Sequence, residues 1–186
     1  MRWNDHSRLA GAHAFLSASK YHWVNYDDEK MERVFTAAIA AKRGSDLHDL
    51  AMNLIRLGVK LPANNKTLNA YVNDAIGFRM QPEQVLFYSP YAFGTCDAIG
   101  FRNNYLRIHD LKTGRTKTSF KQLEVYAAFF FLEYQFMPME VDGIELRIYQ
   151  NDGVDIFHAD PIEIVRIMSR IRVFSDRLTE LSLEVS

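Results

Sequence analysis

Two adjacent asparagines, Asn103-Asn104, lie between two strand-forming runs in the stretch from Gly94 to Gly114, and they constrain it to a β-hairpin. Asparagine tolerates the positive φ that a two-residue type I′ turn demands. With these residues as the loop, Arg102 faces Tyr105. Outward from that pair, Phe101 faces Leu106, Ile99 faces Ile108, Asp97 faces Asp110 and Thr95 faces Lys112. Strand side chains alternate, so these last eight share one face. Cys96 falls on the other face, where a buried packing thiol is the expected role.

The shared face is apolar near the turn and charged at its far end. Directly opposed side chains stand roughly 4.5–5.5 Å apart, and like charges there are destabilising. Asp97 facing Asp110 therefore calls for a compensating cation. Lys112 supplies one charge; a divalent metal would supply two and would use the carboxylates as hard oxygen ligands. A solvated Asp-Asp-Lys salt cluster at a sheet edge is the plain structural alternative.

An aspartate followed by Asp-x-Lys on the neighbouring strand resembles the signature of the PD-(D/E)XK nuclease superfamily. Asp97, Asp110 and Lys112 match it, and Gly94-Thr95 and Thr113-Gly114 around them resemble the RecB-like branch, common among phage recombination exonucleases and CRISPR-associated nucleases. Gln122-Leu123-Glu124-Val125-Tyr126 matches the Gln-x-x-x-Tyr motif of that branch, on the helix after Asp-x-Lys. Arg43-Gly44-Ser45-Asp46-Leu47-His48 resembles its Gly-x-x-x-His helix, and Leu16 to Lys20 its opening Ser-x-Ser stretch.

The resemblance implies a metal-dependent deoxyribonuclease, an exonuclease by the nearest branch, working in phage or mobile-element DNA recombination, repair or processing. It implies Mg²⁺ or Mn²⁺ held by Asp97, Asp110, the Leu111 backbone carbonyl and His48, with Glu83 as a further acid. Lys112 would serve the chemistry, Gln122 and Tyr126 would position the substrate backbone, and Arg115 and Lys117 would meet phosphates. DNA is the implied partner, alongside a homo-oligomer or a recombination partner protein. The competing reading is a non-catalytic DNA-binding or assembly module on the same fold.

Each residue also has a structural reading. Gln122 completes a capping box with Ser119, and Tyr126 continues into an aromatic stripe with Phe130 and Tyr134. His48 is a packed histidine beside Leu47, Leu50, Ala51, Leu54 and Leu57. Glu83 is an acid in a helix-to-strand loop, and Ser17 or Ser19 caps a short helix.

Composition narrows the field. At 186 residues the chain suits one domain, 1–186, with a full hydrophobic core. Net charge is −1, which argues against binding nucleic acid by bulk electrostatics. Between Arg102 and Lys121, however, six cations stand against Asp110 alone, a patch expected beside the carboxylates. No apolar run reaches the roughly 18 residues of a membrane span, and no secretory signal is expected at the N-terminus. A single cysteine excludes an internal disulfide and a four-cysteine iron–sulfur cluster. A cytoplasmic protein without a membrane partner is expected.

Along the chain the patterns predict helices over 27–42 and from Ser45 to Leu57, broken at Gly44-Ser45 and ended by Gly58. A helix over 67–77, a strand from Gln84 to Ser89, the hairpin and a helix from Ser119 to about Gln135 follow. A second hairpin turns around Asn151-Asp152-Gly153, and Asp160 caps a last helix whose apolar stripe is Ile162, Val165, Ile171, Phe174, Leu178 and Leu181. This order predicts an α/β fold with a central mixed β-sheet flanked by helices, the core that the resemblance also implies.

Overall fold

The computed structural model describes residues 14–114 and 118–184 together with positions 5, 8 and 116. The chain divides into two compact units, Met1–Arg43 and Gly44–Ser186, where the sequence suggested one domain. The boundary falls inside the first long helix, α1 (Asp28–Leu57).

In the first unit, a 3₁₀ helix (Ala18–Asn25) follows Ser17, whose carbonyl accepts a 2.9 Å bond from Trp23 Nε1. The Ser17 side chain makes no cap bond there. Phe15 meets Phe35 edge-on at 5.0 Å, and the Lys30 amide donates to Asp27 Oδ1 at 2.7 Å where α1 begins. Phe15, Trp23 and Tyr26 are half-buried.

The second unit is α/β. Its five strands, β1 (Gln81–Ser89), β2 (Ala92–Arg102), β3 (Tyr105–Leu111), β4 (Gly143–Gln150) and β5 (Gly153–His158), line up in chain order. β3 and β4 are parallel and every other pair is antiparallel, which makes the sheet mixed. A parallel pair needs a crossover, supplied here by α3 (Lys121–Tyr134). α3 and α4 (Pro161–Glu184) build one apolar core with Leu106, Ile108, Ile144, Leu146 and Ile148. α2 (Thr67–Gly77) and the second half of α1 build the other with Ala98, Leu111 and Tyr149. No helix among the described residues is long and apolar enough to cross a membrane.

Both hairpins turn as their residues dictate. Asn103 and Asn104 have φ of 50° and 55°, and Asn151 and Asp152 have 51° and 57°, so each is a two-residue turn and Gly153 belongs to β5. Arg102 pairs with Tyr105, Phe101 with Leu106 and Ile99 with Ile108, the register expected.

Three expectations need correction. α1 does not break at Gly44-Ser45. Gly44 is buried there, and a Cβ would stand 2.8 Å from Thr113 Oγ1, so this glycine serves close approach rather than helix termination. The buried stripe of α1 is Gly44, Ala51 and Ile55, while Leu47, Leu50 and Leu57 are exposed. That offset puts His48 on the inward side. In α4, likewise, Ile164, Met168 and Ser175 are buried and Phe174 and Leu178 are exposed.

Candidate functional site

β1 and β2 pair regularly from Gln81↔Ile99 to Pro82↔Ala98 and again from Gln84↔Cys96, but the position between, Glu83 against Asp97, drops out of the ladder. Glu83 has φ of 50°, left-handed for a residue with a Cβ. This irregularity switches the side-chain alternation. Cys96 packs in the same core as Ile99 and α3, and a Cβ on Gly94 would stand 3.0 Å from Tyr126. The single eight-residue face expected from strict alternation therefore ends at Asp97. Cys96 is a buried thiol as expected, but on the α3 face. Glu83 is not a loop acid, because β1 starts at Gln81 and includes it.

The switch gathers polar side chains at this end of the hairpin. His48, Glu83 and Asp97 each offer a ligand atom, all within 4.8 Å of one another. His48 Nδ1 lies 3.4 Å from Asp97 Oδ2, which also accepts the Leu111 amide at 2.8 Å. That bond ties β2 to β3 one residue beyond their last regular pair, at the residue whose carbonyl the resemblance assigns to a metal. Asp110 adjoins the triad and is 2 % exposed. Its Oδ2 lies 3.0 Å from Lys112 Nζ yet has no hydrogen bond of good geometry.

From Lys112 the contacts continue onto α3. Lys112 Nζ donates to Gln122 Oε1 at 2.9 Å, and Gln122 Nε2 donates to Tyr126 Oη at 3.1 Å. Gln122 thus faces Lys112 rather than completing a capping box, while Ser119 Oγ accepts only the Lys121 amide. Tyr126 is half-buried against the core, with its hydroxyl on Gln122.

The charges show what the cluster lacks. Burial pushes Asp97 up to about 6; Asp110 and Glu83 add to the rise, and His48 and the Leu111 amide oppose it. Burial also raises Asp110, against Lys112 and His48. Tyr71 and the Cys96 thiol, both buried, are held protonated chiefly by burial and further by these carboxylates. Tyr71 belongs to the site's surroundings, yet its place in the α2 stripe carried no sign of it in the sequence. Two carboxylates and an imidazole converging on a partly buried spot, with the Asp110 carboxylate nearby and paired to Lys112, fit a hard divalent cation.

A pH prediction follows. Asp97 has a folded pKa above its unfolded value, so the native state holds more protons between about pH 4 and 6, and stability falls as pH rises through that window. Asp97→Asn removes the effect, so the variant's advantage over wild type in metal-free melts should widen from pH 4 to 7 by on the order of 2 kcal/mol. His109, which burial holds down to about 3, acts in the opposite sense but equally in both proteins. A constant difference across that range would contradict the assignment.

The basic patch does not assemble as expected. Arg102 and Arg107 lie toward the hairpin turn, and Arg107 is on the α2 side because it alternates with Leu106 and Ile108. Lys121 is paired with Glu124 and Glu163. Arg115 and Lys117 lie outside the described residues. No protein-family profile, curated protein or solved structure matches this chain.

Proposed function

We propose that this protein is a metal-dependent nuclease that hydrolyses DNA phosphodiester bonds. The observation that carries the reading is the His48–Glu83–Asp97 triad, with the Asp110 carboxylate near enough to raise Asp97, beside the chain of contacts from Asp110 through Lys112 and Gln122 to Tyr126. A salt cluster alone would account for Lys112 on Asp110, but not for three further ligand atoms drawn together by a left-handed glutamate.

Asp97, Glu83, His48 and Asp110 are the residues that would hold Mg²⁺ or Mn²⁺. When bound, such an ion supplies Lewis acidity to the scissile phosphate and lowers the pKa of a water. Lys112 is held between Asp110 and Gln122 with its ammonium fixed in place, suited to stabilise negative charge developing on the phosphoryl oxygens. Tyr126 orients Gln122, and Gln122 in turn orients Lys112, so both act through the lysine as well as on the substrate backbone.

Tyr126→Phe keeps the ring packed and removes only its hydroxyl. One net hydrogen bond is worth about 1 kcal/mol, so turnover should fall about fivefold with little change in melting temperature. Single-turnover cleavage beside a thermal melt checks this; wild-type turnover would leave Tyr126 as packing alone.

Incubation with end-labelled linear and circular DNA in Mg²⁺, Mn²⁺ or EDTA tests the function itself. Mononucleotides from linear DNA only would identify an exonuclease, and nicked or linearised circles an endonuclease. Binding without cleavage in either metal would leave the non-catalytic module instead.

A further inference from the structure

At the turn end of the β2–β3 hairpin, on the α2 side of the sheet, a cavity of about 460 Å³ is lined by Arg79, Arg102, Arg107, Asn103 and Tyr105. Three arginines and no acid line it. Arg102 lies five positions along β2 from Asp97, about 17 Å of strand, so the cavity stands apart from the carboxylates.

Each arginine is set in place by a different element. The Arg107 guanidinium lies 4.3 Å from the Tyr105 ring centre and 4.7 Å from that of Phe78. Its buried Nε stands 3.3 Å from Glu145 Oε1 without a well-formed hydrogen bond. Arg79 ends α2: the Met80 amide reaches the Ala75 carbonyl and the Arg79 amide that of Ile76, with Arg79 at φ of 55°. This is the position that helix ends give to glycine, because a Cβ there is disfavoured. Arg102 is the last residue of β2, and Asn103 beside it adds a side-chain amide.

Of the nearby acids, Glu145 is shared between Arg107 and Arg147, and Asp74 is held by Arg147 and Tyr149. Glu145 accepts from Arg147 at 2.9 Å, and Asp74 accepts from Arg147 at 3.1 Å and from Tyr149 at 2.8 Å. Among the described residues Arg79 and Arg102 have no ion pair. Three arginines lining one polar cavity, two of them without an ion pair among the described residues, suit the oxygens of a phosphate better than those of any neutral ligand.

We propose that the Arg79–Arg102–Arg107 cavity binds a phosphate group, either a phosphodiester of a nucleic-acid strand or the phosphate of a small molecule. The site does not depend on the metal reading, and its test is run in EDTA. Inorganic phosphate is titrated calorimetrically into the full chain and into Arg79→Ala/Arg102→Ala, which leaves the packed Arg107 in place. The same proteins bind fluorescein-labelled dT20 over a range of salt. Phosphate affinity should fall at least tenfold in the double variant and be only partly restored in Arg79→Lys/Arg102→Lys, which keeps the charge but loses the planar fork. If the source is a nucleic acid, the slope of log K against log salt for dT20 should also fall by about 0.7, the loss of one phosphate contact. An unchanged slope with lost phosphate binding identifies the small-molecule source. Undiminished phosphate affinity in the alanine variant, or none in wild type, overturns the proposal.

Discussion

Asp110→Asn is expected to lower cleavage by about 10³-fold or more while the protein stays folded. Asp110 is almost wholly buried on β3, held by Lys112, and burial raises its pKa. A neutral isostere relieves that cost, so the metal-free variant should be as stable as wild type or more stable by about 0.2–1 kcal/mol. Loss of activity together with a higher melting temperature separates a functional carboxylate from a structural one, which would be missed in both readouts when replaced. An Asp110→Asn protein that cleaves at the wild-type rate would remove Asp110 from the site.

Lys112→Ala should cost about 10²–10³-fold in cleavage yet leave Mn²⁺ affinity within a few-fold of wild type. Lys112 Nζ donates to Gln122 Oε1 and lies 3.0 Å from Asp110 Oδ2, so it is engaged as a donor rather than as a ligand. Its backbone amide donates to the Tyr149 carbonyl, a bond the substitution keeps, so strand β3 should stay in place. Calorimetric Mn²⁺ titration beside the cleavage assay distinguishes the roles. Loss of metal binding in a folded variant would mean that Lys112 organises the carboxylates rather than serving the chemistry.

The α/β architecture and the hairpin register were legible because local rules govern them. Paired asparagines demand a two-residue turn, and the turn fixes the partners of every residue as far as Ala98 and His109. Beyond that point the strict alternation fails at Glu83 and Asp97, since nothing in the residues around Glu83 announces a left-handed backbone. The left-handed turn of the backbone at Glu83 is a tertiary outcome, and it accompanies the placing of Glu83 in the triad.

Helix faces were misread for a related reason. Leucines at Leu47 and Leu50 suggested the inward stripe of α1, whereas the sheet accepts the smaller Gly44 and Ala51, which allow close approach to Thr113 and to the strand ends. His48 faces inward as a result. Gln122 was legible as a motif but equally as a cap, and its bond from Lys112 removes the cap reading.

Mn²⁺ titration of the folded chain, with Asp110→Asn and His48→Ala alongside, tests most directly whether the carboxylate cluster is a metal centre. Saturable binding to wild type at neutral pH, lost in Asp110→Asn and weakened in His48→Ala, is the expected result. No saturable binding to wild type, or equal affinity in all three proteins, would contradict it.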